Sequence, residues 1–302
     1  MAKPQCRFCK AHSKNQSVRS EFVYGGRREH KFWQCEKCDL VYLWPVPSIK
    51  EEEKFYANEF EKYMEKRSGQ DRDWSGPEEH IRTNKDNAIR RLGYVQKHIK
   101  KGKSVLEIGC SSGFMLDAFR DAGLNVVGIE PSGGFEGFLE NRGHKVFKSL
   151  EELEKNYNGK FDLICHFFVL EHIRDTINFI NRQLDLLNSS GVIIAEVPCV
   201  NDPLTSIYEI PAFERFYWSI AHHYYFSPKS IAGILNKINC RYEIMPEQRY
   251  DLSNHLVWMQ KGIPGGQDYY NNIFSQSTLE LYRNDLIKSW NCDTFFLFIY
   301  KK

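Results

Sequence analysis

Apolar and polar positions in residues 104–302 follow two periods in alternation. Short apolar runs at 105–108, 126–130, 145–147, 161–165 and 191–197, set off by glycines and charged residues, read as buried strands. Between them, stretches such as 114–122 (FMLDAFRDA) place apolar residues at helical spacing. This alternation predicts a parallel sheet with helices on both faces. Two more strands are expected at 241–250 and 294–300. Upstream, 40–47 reads as a strand that stops at Pro45 and Pro47. Residues 49–67 and about 78–99 read as helices, the first capped by Ser48. A helix over 229–237 follows Ser227 as its cap and Pro228 at its first position.

The first of these strands runs into Glu107-Ile-Gly109-Cys110-Ser-Ser-Gly113, a tight glycine turn before a helix. Such a turn lets backbone approach a ligand closely and leaves N–H groups pointing outward. It lacks the three glycines of the dinucleotide fingerprint. Glu130 closes the next strand, 21 residues after Gly109, the distance at which an acid can reach ribose hydroxyls. Taken alone, either piece is also what a plain helix-on-sheet packing turn would show. The ExGxxxG pattern resembles motif I of the class I S-adenosylmethionine-dependent methyltransferases. The resemblance implies an α/β, Rossmann-like class I methyltransferase sheet, mostly parallel with an antiparallel last strand. It also implies a cofactor site at Glu107, Gly109, Cys110, Gly113, Glu130 and Pro131. Ser149, after the third strand, is placed to flank adenine, and His166 stands where the superfamily often contacts the methionine part, through backbone rather than imidazole.

Nine cysteines are many for such a chain, and the odd number argues against full disulfide pairing. Cys6-Arg-Phe-Cys9 and Cys35-Glu-Lys-Cys38 form two CxxC knuckles separated by 25 residues. Four thiolates so arranged are the ligand set of a structural zinc. A segment this small has little core, so metal would supply much of its folding free energy. His12 and His30 are expected at its surface. Paired knuckles followed by an aromatic strand, Pro45-x-Pro47 and Phe55-Tyr56 resemble the N-terminal zinc domain of sugar C-methyltransferases. The expected organisation is a zinc ribbon over 1–47, a helical connector or lid over 48–103 with Tyr56, Tyr63 and Trp74 as lid residues, and a methyltransferase domain over 104–302 with insertions at 199–226 and 251–293. The expected cofactors are S-adenosylmethionine and structural Zn2+.

Composition narrows the partners. The chain has 302 residues, 42% hydrophobic and 26% charged, with a net charge of +2. That balance gives no general reason to expect nucleic acid or an anionic membrane. No apolar run approaches the ~20 residues of a membrane span and no signal-peptide core is seen, so a cytoplasmic location is expected. The ribbon is locally basic, which keeps RNA open as a partner.

Catalytic candidates come from two segments. The fourth strand leads into Val169-Leu-Glu-His172, whose histidine is a base, a substrate contact or a structural residue. The second is His222-His223-Tyr-Tyr-Phe-Ser227. It resembles the Glu-His-x-x-(Tyr/Phe)-Phe-(Ser/Thr) segment of the sugar enzymes, with Ala221 in place of the glutamate. His222 matches the histidine of that register, and His223 is the alternative. Histidine suits deprotonation of a hydroxyl or of a carbon beside a carbonyl. The expected activity is methyl transfer to a small polar acceptor, a nucleotide-linked or polysaccharide sugar. RNA base methylation and a non-catalytic cofactor-binding scaffold are the alternatives. Half of the aromatics in 199–226 are expected simply to pack that loop.

Overall fold

The computed structural model describes residues 3–68, 76–98 and 100–302. Trp74 lies outside the described residues. Two sheets organise the chain. The first is antiparallel: β1 (Gln16–Ser20), β2 (Lys31–Cys35) and β3 (Val41–Trp44). The second has seven strands: β4 (Ser104–Ile108), β5 (Asn125–Ile129), β6 (Lys145–Phe147), β7 (Phe161–Phe167), β8 (Leu187–Pro198), β10 (Cys240–Glu247) and β11 (Thr294–Lys301). β9 (Tyr224–Tyr225) belongs to the small sheet, against β3.

The large sheet runs β10-β11-β8-β7-β4-β5-β6. β4 to β8 pair in parallel, while β11 inserts antiparallel between β8 and β10. The central strands are buried on both faces, as their continuous apolar runs require. Strand order reverses at β4, so the crevice beyond the C-terminal ends of β4 and β7 is where a ligand fits.

The two knuckles, one before β1 and one between β2 and β3, repeat one geometry. The residue after each second cysteine is left-handed (Lys10 φ 60°, Asp39 φ 64°). Its N–H donates to the first cysteine's carbonyl, Lys10 to Cys6 and Asp39 to Cys35. The fourth strand of this sheet comes from the far end of the chain, with Val41 opposite Tyr225 and Tyr42 opposite Tyr224. Phe32, Val41 and Leu43 share one core with Trp218 and Tyr225. The ribbon and the aromatic segment are therefore packed as one body.

Both connector helices break once. Ser48 caps Ile49–Asn58 in a capping box with Glu51, and a second helix runs Phe60–Ser68. Pro77–Thr83 and Lys85–Val95 follow, separated at Asn84. Ser227 caps Pro228–Leu235 as the Ser-Pro signal predicts. The 251–293 insertion contributes helices Leu252–Lys261 and Gln276–Lys288. Its Asn254, His255 and Trp258 are buried, and Trp258 packs on Phe213 and Phe216, so this face roofs the aromatic segment. No helix among the described residues is long and apolar enough to cross a membrane.

Candidate active site

The glycine turn is built by its backbone. Gly109 and Cys110 both donate to the Ile129 carbonyl, at 2.7 and 3.1 Å, which ties the end of β4 to the end of β5. Gly113 has φ +80°, and a Cβ there would meet Leu139 at 2.6 Å. Only glycine fits that position. The helix Phe114–Asp121 starts from it.

Glu130 is held at the mouth of this turn. Its carboxylate accepts the Ser111 N–H at 2.6 Å and the Ser132 N–H at 2.9 Å. Glu107 is almost fully buried below, and its Oε2 has no hydrogen-bond partner among the described residues. Burial holds its carboxyl well above the usual range, opposed by the nearby Arg91 guanidinium. An unpartnered carboxylate oxygen beside a preformed anchor fits a ligand that brings both hydroxyls and a cationic group. Glu107, Gly109, Glu130, Pro131 and Ser149 all line one cavity of about 1080 Å³. The Ser149 hydroxyl accepts the Glu152 N–H as a helix cap.

Three residues of the expected cofactor set do not line this cavity. The Cys110 thiol packs into a small apolar cluster with Leu116, Phe135 and Leu139. Gly113 serves the turn and the packing behind it. His166 is fully buried in β7 with its ring against Phe179, and burial pushes its pKa down to about 3. Strand alternation turns that side chain away from the crevice.

The cavity continues past β7 to an aromatic end formed by Tyr56, Phe60, Phe213, Phe216, Tyr217 and Tyr225. Phe168, just after β7, is held at φ 60°, unusual for a bulky residue. Three polar groups meet here. Glu171, His172 and His222 each bring a ligand-type atom within 4.8 Å of the other two. His172 Nδ1 lies 2.8 Å from the Ala221 carbonyl, which can only accept, so the proton is on Nδ1 and Nε2 keeps its lone pair. Tyr56 donates to the same carbonyl at 3.3 Å. Burial lowers the His172 pKa to about 4, so the ring is neutral at pH 7. Burial likewise raises Glu171 to about 8, and neither of its carboxylate oxygens has a partner among the described residues.

His223 lies elsewhere. Consecutive residues of an extended segment face opposite ways, so His222 lines the main cavity and His223 a smaller one of about 410 Å³. There His223 Nε2 meets Glu52 at 2.8 Å, and Glu52 also takes Arg174 at 2.6 Å. The carboxylate missing at Ala221 is thus replaced, for the other histidine, from the connector helix. Tyr63 also faces this smaller cavity, its hydroxyl 2.6 Å from Ser219 Oγ. His30 is buried rather than exposed, its Nδ1 accepting the Arg27 N–H at 2.9 Å, whereas His12 is exposed.

Several site residues carried no motif. Arg91 and Glu196 form a buried pair (3.0 Å) beside Glu107, and Asp202, Arg249 and Asp293 close the far wall. His80 reaches the glycine turn through Ser112 Oγ at 2.8 Å. Glu52 stands in a Glu-Glu-Glu run that reads as a solvated helix face, and only its place opposite His223 distinguishes it.

The Cys6, Cys9, Cys35 and Cys38 thiols lie within 4.8 Å of one another, with Cys6–Cys38 and Cys9–Cys35 both at 3.6 Å. Thiolates about 2.3 Å from a tetrahedral zinc stand about 3.8 Å apart, so the four fit that ion.

A ubiquinone biosynthesis O-methyltransferase of Actinobacillus pleuropneumoniae serotype 7 (strain AP76) is 32% identical over 116 residues, covering 34% of this chain and 50% of the relative. The enzyme of the same description from Dechloromonas aromatica (strain RCB) is 29% identical over 126 residues, 39% and 54% respectively. The chain spans about half the length of the curated relatives it matches. Among solved structures, a SAM-dependent methyltransferase from Archaeoglobus fulgidus aligns at 21% identity over 74% of this chain and 97% of that one, with a TM-score of 0.47. The plantazolicin methyltransferase BamL, solved with SAH, aligns at 14% identity over 84% and 98%, with a TM-score of 0.48. The family model described as "Methyltransferase domain" matches residues 78–243, more than half of the sequence and all of the cofactor-side crevice, and the chain belongs to that family.

Proposed function

We propose that this chain transfers a methyl group from S-adenosylmethionine to a hydroxyl of a small cyclic acceptor. The observation that carries the reading is the single cavity that joins the glycine turn to the Glu171–His172–His222 cluster. S-adenosylmethionine, when bound, supplies an electrophilic sulfonium methyl. Glu130 would hold its ribose hydroxyls, Glu107 its ammonium, and the 109–113 turn its backbone-facing edge. The cavity wall then sets the acceptor in line, and positioning of this kind supplies much of the acceleration in a displacement.

His172 presents an unprotonated Nε2 to the acceptor end, as a base for a hydroxyl requires. Burial keeps the ring neutral, so the Nε2 lone pair is free at pH 7. The aromatic walls stack on a ring and exclude water. A nucleotide-linked or polysaccharide sugar is the acceptor favoured by the ribbon-plus-histidine pattern. The curated relatives are O-methyltransferases of ubiquinone biosynthesis, which favours a phenolic ring as the second reading. RNA is disfavoured because basic ribbon residues are drawn to internal partners: Arg7 to His223, Arg19 to Glu214, Arg27 to Glu51.

The test is S-adenosylhomocysteine production by zinc-loaded protein with nucleotide sugars, catechol-type phenols and structured RNA offered separately. Turnover on a sugar or a phenol, reduced about 10²–10⁴-fold in His172→Ala with cofactor affinity unchanged, is the expected result. Turnover on RNA alone would overturn it.

A further inference from the structure

We infer that Glu171, His172 and His222 form a binding site for one divalent metal ion, separate from the four-cysteine knuckle site. Their ligand atoms converge within 4.8 Å, on the wall of the main cavity. Ligands about 2.1 Å from a shared ion stand about 3–4 Å apart, so modest side-chain rotation seats the ion. Two imidazoles and one carboxylate suit Mn, Fe, Co or Zn and leave further coordination positions open.

Three features of the surroundings point to an ion at this place. Glu171 is 1% exposed, and both of its carboxylate oxygens lack partners among the described residues. A buried carboxylate is ordinarily paired, hydrogen-bonded or bound to a cation. His222 Nδ1 is likewise buried without a partner among those residues. His172 already has the outer hydrogen bond of a metal-bound imidazole: Nδ1–H to the Ala221 carbonyl at 2.8 Å fixes the tautomer that offers Nε2. The nearby Arg67 does not occupy the carboxylate, since its guanidinium donates to the Phe216 and Tyr217 carbonyls.

The strand geometry explains why the ligands meet. His223 N–H donates to the Glu171 carbonyl at 2.8 Å, which locks the 170–172 turn against the 222–225 segment. The rings of His172 and His222 stand 4.7 Å apart and nearly perpendicular. Ion binding itself stands on these residues alone. What the ion does rests on the function proposed above and would take over the role given there to His172: with Nε2 on the ion, a free coordination position would hold the acceptor oxygen, and a ligated hydroxyl is more acidic.

The test is titration with Co2+ of protein loaded with a single equivalent of Zn2+, which fills the four thiolates and leaves the second site open. Zinc holds the four thiolates more tightly than cobalt does, so the knuckle site stays filled. The expected result is one further equivalent of Co2+ with visible d–d bands and no thiolate charge-transfer band. Glu171→Gln and His222→Ala should each weaken that binding about 10-fold or more, while S-adenosylhomocysteine binding stays intact and shows that the variants fold. Absence of stoichiometric Co2+ binding, or binding unchanged in both variants, overturns the inference. Co2+ binding without turnover on any acceptor would leave the metal site standing and count against the function. Turnover without Co2+ binding would do the reverse.

Discussion

Glu196 is the most consequential buried charge beside the cofactor-side crevice. Its carboxylate is fully buried in β8 and takes two guanidinium groups, Arg90 at 2.8 Å and Arg91 at 3.0 Å. Arg91 is itself buried, with its guanidinium 4.3 Å from the centre of the Phe167 ring. The pair ties helix Lys85–Val95 to the end of β8, and so fixes one wall of the cavity. Glu196→Gln keeps the shape and one acceptor but removes the charge, leaving Arg91 buried without its counter-ion. Two charge-assisted hydrogen bonds at about 1.5–3 kcal/mol each set the scale, and breaking one side of a buried pair costs about 3–5 kcal/mol. For a chain of this size each kcal/mol shifts Tm by about 2 °C, so thermal unfolding should move down by about 6–10 °C. Arg90 is partly exposed and keeps Glu247 at 3.6 Å as a second counter-ion, so it tolerates the loss better than Arg91. Replacing both partners, Glu196→Leu with Arg91→Met, should therefore recover most of the stability, because no buried charge is left alone. Calorimetric unfolding of the wild type and the two variants decides the matter. A cost below about 1 kcal/mol for Glu196→Gln, or a double variant worse than the single, would refute the reasoning.

Two other perturbations follow from the packing and the electrostatics. Stripping zinc with a chelator should lower Tm and raise amide exchange at Tyr224 and Tyr225, which pair with β3, while amides of β4 stay protected; equal loss everywhere would contradict the shared-sheet account. Asp202 is buried beside Asp293, which raises its carboxyl to about 8 from 3.8. Such a group favours folding below the unfolded pKa, and that contribution disappears as pH rises from about 4 through about 8. Asp202→Asn cannot ionise and still accepts the Leu204 N–H, so its Tm advantage over the wild type should grow from pH 5 to pH 8; a constant difference would show that Asp202 does not titrate in this range.

Much of the fold is legible because its signals are local. The glycine turn, the strand before it and the Glu130 terminus are set by neighbours within a few residues, and the structure places them as their pattern implies. The Ser48 and Ser227 caps are read from four-residue windows. What escaped is non-local. A two-residue strand such as Tyr224–Tyr225 carries no periodicity, and its partner lies more than 180 residues away. β8 begins at Leu187, but Asn188-Ser-Ser-Gly191 has the composition of a turn and hides the first part of that strand. The helix breaks at Glu59 and Asn84 fall at polar positions without glycine or proline. His166 lies in the expected strand with its ring packed on Phe179, which leaves its backbone, as the analogy implies, for any contact at the crevice. Glu171 is visible in the sequence only as the middle of Leu-Glu-His, and the lack of a hydrogen-bond partner for its carboxylate oxygens among the described residues is a property of the fold.

The most direct test of the central claim is calorimetric titration of S-adenosylhomocysteine into zinc-loaded protein and into Glu130→Ala. One-site binding to the wild type, weakened about 10-fold or more in the variant, is the result predicted from a carboxylate held by Ser111 and Ser132 at the mouth of the glycine turn. No heat of binding to the folded wild type, or equal affinity in the variant, would contradict it.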